Sequence, residues 1–325
     1  AATPDRYSSL RESMEKALNG KATLLYAQGC NVVYDEQEQK DGELGKTIAR
    51  GDDAQMEAEA LEVARQADVI VCAMGETADM SGECASRTDL RMPDAQRHLL
   101  AQLARTGKPI VLLNFSGRPT VLTWEQEHLP AIMNVWFGGS EAADAICDVI
   151  FGDKVPCGKL TASMPKTTGQ EPLYYNHQNT GRPVPDDNPR FAKFASNYLD
   201  VRNGALYPFG YGLSYTTFEY GPLQISADHT ATVRVTNTGS RAADEIVQLY
   251  IRDKVASISR PVKELKAFRR IHLAAGESQD VSFQITPDML KFYNADLQYV
   301  LEPGEFDIMV GPNSRDTKNG TISVK

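Results

Sequence analysis

The period of the apolar positions changes once along this chain, and the change divides it. Up to about residue 151, short apolar runs of strand length alternate with stretches of helical period. The spacing predicts a helix over 4–19, a strand over Ala22–Ala27, a helix over Ala54–Ala67 and a strand over Val69–Met74. A helix is then expected between Pro93 and Gly107, followed by strands over Ile110–Phe115 and Ala131–Trp136. Helices over Val121–His128 and Ser140–Phe151 complete the alternation. Pro93 suits a first helical position and Gly107 a helix stop, while Leu99, Leu100 and Leu103 form the stripe that docks on the sheet. This alternation implies an α/β fold with a mostly parallel sheet covered on both faces.

From Gly169 to Phe218 the helical period disappears, and the chain is dense in Tyr, Asn, Pro and Gly. Such a long irregular stretch reads as a junction between two domains. Its aromatics, among them Tyr174, Tyr175, Phe194, Tyr198, Tyr207, Phe209, Tyr211 and Tyr215, are expected mainly to cement that junction, with sugar platforms as the other use. Beyond Gly221 the period becomes two. Val233/Val235, Val247/Leu249/Ile251, Val281/Phe283/Ile285 and Phe306/Ile308/Val310 alternate with mostly polar residues and are separated by turn residues, the pattern of a β-sandwich. The expected domains are 1–165, a junction over 166–221, and 222–325.

A chain of 325 residues has room for two cores. Its net charge of −9 argues against a nucleic-acid partner, whose phosphates require basic patches. No apolar run approaches a membrane span, and no leader-type segment precedes the fold, so a signal peptide is expected to be absent or removed. The five cysteines (Cys30, Cys72, Cys84, Cys147, Cys157) show no Cys-x-x-Cys pair and no metal spacing, and their odd number leaves at least one thiol unpaired. No metal or cofactor is expected.

The candidate chemistry lies in Gly75–Pro93, a polar loop between a strand and a helix, where α/β proteins place functional side chains. Glu83 stands there among Ser81, Gly82, Cys84, Ala85 and Ser86, with Arg87 and Asp89 close behind. Small neighbours leave room for a ligand, and a carboxyl group in such a place can give or take a proton. A solvated surface glutamate is the plainer reading of these residues alone. Two other motifs are decoys. Gly45-Lys46-Thr47 lacks the glycine a phosphate loop needs five positions earlier, where Lys40 stands. Gly138-Gly139-Ser140-Glu141-Ala142 approaches a nucleophile elbow but lacks the last glycine, so Ser140 is expected to be a helix N-cap.

The stretch from Met80 to Leu113 resembles the acid/base region of glycoside hydrolase family 3, the β-glucosidases and β-xylosidases. The resemblance continues in order through Trp136–Glu141, Gly158-Lys159-Leu160, Asn179–Pro183 and Tyr207–Tyr215. It implies an α/β sandwich domain followed by a fibronectin type III-like domain. It also implies that Glu83 is the general acid/base of a retaining, exo-acting glycosidase, with Ser81 and Ser86 as hydrogen-bond donors at the rim. Arg87, a further candidate for substrate binding, is expected to pair with Asp89 or with another domain. The family's aspartate nucleophile sits on a barrel preceding this region, and nothing in residues 1–325 matches it. The implied partners are that barrel and a β-linked oligosaccharide, in the periplasm or outside the cell. Departures from the family pattern are Ala142 and Ala143 in place of glycines, Cys157 before Gly158, and Asn197 where a basic residue is common. A non-catalytic carbohydrate-binding or interaction module is the alternative, and an esterase using Ser140 would need a histidine within reach.

Overall fold

Ser9 opens the first helix reciprocally: its hydroxyl accepts the Glu12 N–H, and the Glu12 carboxylate takes the Ser9 N–H. In the computed structural model, which describes residues 7–41, 50–186 and 192–325, this helix is α1, Leu10–Leu18. The expected strand Ala22–Ala27 does not form. It pairs with no strand among the described residues, and Leu25 and Tyr26 are 39% and 56% exposed. An apolar run helps a parallel sheet only when helix layers cover it, and this one is wet. The following crossing, expected to lack a period, contains a short helix, α2 (Glu36–Asp41), started by Asp35 accepting the N–H groups of Gln37 and Glu38. Gly45-Lys46-Thr47 lies outside the described residues.

The remaining first-half elements are α3 (Asp53–Gln66), β1 (Ile70–Gly75), α4 (Asp94–Ala104), β2 (Ile110–Phe115), α5 (Thr123–His128), β3 (Ala131–Asn134) and α6 (Ala142–Ile150). The strands form a parallel sheet in the order β1-β2-β3, with Gly75 opposite Phe115 and Asn114 opposite Asn134. Leu99, Leu100 and Leu103 of α4 are buried with Ala60 and Ala64 of α3 against Cys72, Ile110 and Leu112 of the sheet. Pro93 takes the cap position rather than the first helical one. Gly107, at φ +73°, adopts the left-handed conformation that ends the segment. Ser140 is not a cap: α6 starts two residues later, and Glu141 occupies the cap position without a side-chain bond. The turn closed by Ala142 N–H on Gly139 O consumes the residues that a capped start would have used.

Two compact units emerge: residues 1–154 with 165–169, and residues 155–164 with 170–325. The second is an antiparallel sandwich of β4 (Phe218–Tyr220), β5 (Gln224–Ile225), β6 (Thr230–Asn237), β7 (Ala243–Asp253), β8 (Glu264–Leu273), β9 (Ser278–Gln284), β12 (Gly304–Gly311) and β13 (Lys318–Val324). A short helix α7 (Pro287–Leu290) and a hairpin of β10 (Phe292–Tyr293) and β11 (Tyr299–Val300) lie between β9 and β12. One sheet runs β13-β12-β7-β8; β6 joins β4, β5 and β9 in the other. The inward residues expected from the period-two pattern are all buried in one core. Strand β8 escaped the pattern because its outward side chains include Phe268, and its burial is one-sided only near Ile271 and Leu273.

Residues 155–164 and the irregular stretch are both pinned to this sandwich. Lys159 Nζ lies 3.2 Å from both Glu245 carboxylate oxygens, and Tyr220 Oη donates to Glu245 at 2.9 Å. Tyr175 stacks on Phe209 with centroids 4.1 Å apart, and both meet Tyr250 edge-on. Tyr174, Phe194 and Tyr198 instead remain exposed.

Candidate active site

The candidate loop begins where β1 ends, and the first residue allows no substitute for glycine. Gly75 has φ +138°, and a Cβ there would lie 1.8 Å from the Phe115 carbonyl oxygen. Gln96 of α4 grips its peptide from both sides, accepting the Gly75 N–H at 2.7 Å and donating to its carbonyl at 3.0 Å. The Glu76 N–H then donates to Phe115 O at 2.7 Å, and the chain leaves the sheet.

Glu76 is the buried anchor. Its side chain is 2% exposed, with Arg118 Nε 3.1 Å from Oε1 and Arg87 Nη1 3.4 Å from the same atom. Ser116 Oγ donates to Oε2 at 2.8 Å and accepts the Arg118 N–H. A carboxylate can be buried at this depth because charged donors surround it. Arg118 reaches further: Nη2 donates to the carbonyls of both Met80 and Ala85, the latter at 2.7 Å. Those two carbonyls bracket residues 81–84. Within the bracket, Ala85 N–H closes a turn on Gly82 O, and Cys84 takes φ +62°.

Glu83 stands on that turn, exposed to solvent. Among the described residues it has no hydrogen bond or ion pair. Ser86 is also exposed. Ser81 is half-buried over Gly117, where a Cβ would lie 2.0 Å from its hydroxyl. Arg87 departs from expectation, turning inward to Glu76 and the Met80 sulfur instead of pairing with Asp89. Asp89 is taken by Arg91, which chelates both its oxygens at 2.6–3.0 Å; this bonding holds the Asp89 carboxyl at about 2. Arg87 is better served by Glu76 because a buried carboxylate needs a second cation more than a half-exposed one does.

A cleft of about 430 Å³ borders the loop, lined in part by Val33, Gln39, Met80, Ser86, Arg87 and Asp89. A larger cleft of about 990 Å³, lined by Arg91, Arg97, Trp124, Glu125 and Lys166 among others, does not reach Glu83. Ser140 lies in a third cleft with Tyr7, Ser8, Ser13, Glu141 and Asp144, and no histidine among the described residues lines it, so the esterase reading lacks its base. Among the described residues, no group of three or more His, Cys, Asp and Glu could hold a metal ion, and no helix is long and apolar enough to cross a membrane. All five cysteines are free.

Glu76, Ser116 and Arg118 were not singled out by the sequence. The available signal was positional: charged residues just beyond the ends of two adjacent parallel strands, with Gly117 between Ser116 and Arg118 to let the loop approach.

Residues 1–215 match the glycosyl hydrolase family 3 C-terminal domain, and residues 245–314 match a fibronectin type III-like domain. The chain is 42% identical over 321 residues to a periplasmic beta-glucosidase of Salmonella typhimurium, covering 96% of this chain and 42% of the relative. It is 36% identical over 332 residues to a beta-xylosidase of Formosa agariphila, covering 99% and 42% respectively. Among solved structures, a beta-glucosidase from Listeria innocua in complex with gluconolactone aligns with TM-score 0.75 at 40% identity, over 82% of this chain and 38% of that one. The chain thus spans less than half the length of the relatives it matches.

Proposed function

Because this chain belongs to glycosyl hydrolase family 3, we propose that it is the C-terminal part of a retaining β-glucosidase or β-xylosidase, in which Glu83 is the general acid/base. The enzyme removes terminal β-linked sugars from the non-reducing ends of oligosaccharides. The observation that carries the reading is the turn held at the end of β1, which presents Glu83 to solvent while the buried Glu76 at its base is paired with Arg118 and Arg87.

In a retaining glycosidase, one carboxyl group protonates the departing oxygen while a second, about 5–5.5 Å away, attacks the anomeric carbon. The first then deprotonates the water that releases the sugar. Glu83 suits the first role because its side chain is available. The second falls to an aspartate on the barrel that the family pattern places before this region. Ser81, Ser86 and Arg87 are the proposed substrate contacts on this side, with Ser86 the most accessible. Residues 1–165 form the domain that delivers the acid/base, 166–221 join it to the rest, and 222–325 give support without chemistry of their own. The periplasmic relative favours a periplasmic or secreted enzyme.

General acid catalysis contributes on the order of 10²–10⁴-fold, and only on a sugar already held in place. The chain by itself is therefore expected to leave aryl β-glucosides and β-xylosides essentially uncleaved. Joined to the barrel, it should turn them over. Robust hydrolysis by the chain alone, lost in Ser140→Ala and unchanged in Glu83→Gln, would refute this function.

A further inference from the structure

We infer that Arg118 is a positioning residue for the acid/base, clasping the neck of the turn that carries Glu83; the inference rests on the proposed role of Glu83. Among the described residues, 76–89 form no strand pairing, so no ladder of sheet hydrogen bonds runs along the turn. The guanidinium of Arg118 crosses from the end of β2 to the turn. Its Nε is held by Glu76 at 3.1 Å, and its Nη2 meets the carbonyls of Met80 and Ala85 on either side of the turn. Glu76 and the backbone of Arg118 are themselves held. The Glu76 N–H pairs with Phe115 at the end of β2, and the Arg118 N–H is taken by Ser116.

A planar fork is required for this job. It serves a carboxylate from Nε and two carbonyls from Nη2, a fixed spread of donors that the single nitrogen of an ammonium on a flexible stem does not reproduce. Arg87 cannot replace it, because its contacts reach Glu76 and the Met80 side chain but neither bracketing carbonyl. The orientation of Glu83 toward a glycosidic oxygen is thus set from Arg118, through the turn's own backbone. A misplacement of about 1 Å can cost about 10²-fold in rate.

The test uses Arg118→Lys, which retains the charge opposite Glu76, alongside Glu83→Gln. In the chain itself, hydrogen exchange at Ser81–Ala85 should quicken in Arg118→Lys while β1 and β2 keep their protection. In the full-length enzyme, Arg118→Lys should slow an alkyl or disaccharide β-glucoside by up to about 10²-fold and an activated nitrophenyl glycoside far less. Combined with Glu83→Gln, it should add almost nothing further to the loss on the poor leaving group. Unchanged exchange at the turn, or a loss equal on both substrates and additive with Glu83→Gln, would overturn the inference while leaving Glu83's role intact. If Glu83→Gln itself slows both substrates alike, the acid/base reading fails, and the inference fails with it.

Discussion

Glu76 and Arg118 leave the ends of two neighbouring parallel strands and meet at 3.1 Å, one carboxylate and one guanidinium joined beneath the turn that displays Glu83. Arg87 completes the group from the loop side. Charges removed from water need such company, since an uncompensated buried carboxylate or guanidinium is strongly unfavourable.

Removing Glu76 should therefore be costly. Glu76→Ala leaves two arginines facing each other, and truncating one partner of a buried pair costs about 3–5 kcal/mol. The low end applies here, because the guanidinium side chains keep 20–21% exposure. Both tryptophans, Trp124 and Trp136, belong to the first unit, so urea unfolding followed by their fluorescence reports on it alone. A change within error of zero would show that the cluster does not support the loop's base.

Two glycines should respond differently to alanine. Gly107 sits at φ +73° with open space where a Cβ would stand, so Gly107→Ala should cost about 1–2 kcal/mol of left-handed strain alone. Gly75→Ala must in addition displace the Phe115 carbonyl, which belongs to the β1–β2 pair and cannot yield without opening it. The same fluorescence measurement should rank Gly75→Ala as clearly more damaging. Equal losses would contradict the close approach.

Much of this architecture was legible beforehand. The switch from helical to period-two spacing marked the change of fold class, because burial between helices and burial on one face of a sheet leave different repeats. The stripe Leu99, Leu100 and Leu103 and the sandwich residues Val247, Leu249 and Ile251 are buried as expected. Ala22–Ala27 misled because apolar content does not tell a covered strand from an exposed run. Ser140 misled because a serine before a helix is a cap only when the turn leaves it at the right residue. The clasp at Arg118 could not be read at all: its partners, Met80 and Ala85, contribute backbone carbonyls, which leave no trace in side-chain identity.

Glu125 gives a pH signature. The residue is 3% exposed, and burial raises its carboxyl above the ordinary range, against the pull of its own backbone N–H, Arg97, His128 and Arg91. The folded state then holds the proton to higher pH than the unfolded chain. Its contribution is present below the unfolded pKa and is lost as pH rises through the folded one. Glu125→Gln should raise the melting temperature relative to the unsubstituted chain near neutrality, with little difference at about pH 4. A difference independent of pH would contradict the assignment.

In the second unit, Lys159 is the counterion that ties residues 155–164 to β7. Lys159→Met leaves Glu245, 4% exposed, with the Tyr220 hydroxyl but no cation. A loss of about 3 kcal/mol is expected, together with faster exchange of the Leu160 amide, which donates to Tyr211 O at 2.8 Å. Unaltered exchange at Leu160 would show that the segment is held by other contacts.

The central claim is that Glu83 supplies the proton to the departing oxygen, and one kinetic series tests it most directly. In the full-length enzyme, kcat/KM is measured for aryl β-glucosides whose phenols range from poor to good leaving groups, with and without Glu83→Gln. Loss of the acid should slow the poorest leaving groups by about 10²–10⁴-fold, and the loss should shrink steadily toward the most activated phenols. A loss of the same size across the whole series, or none at all, would contradict it.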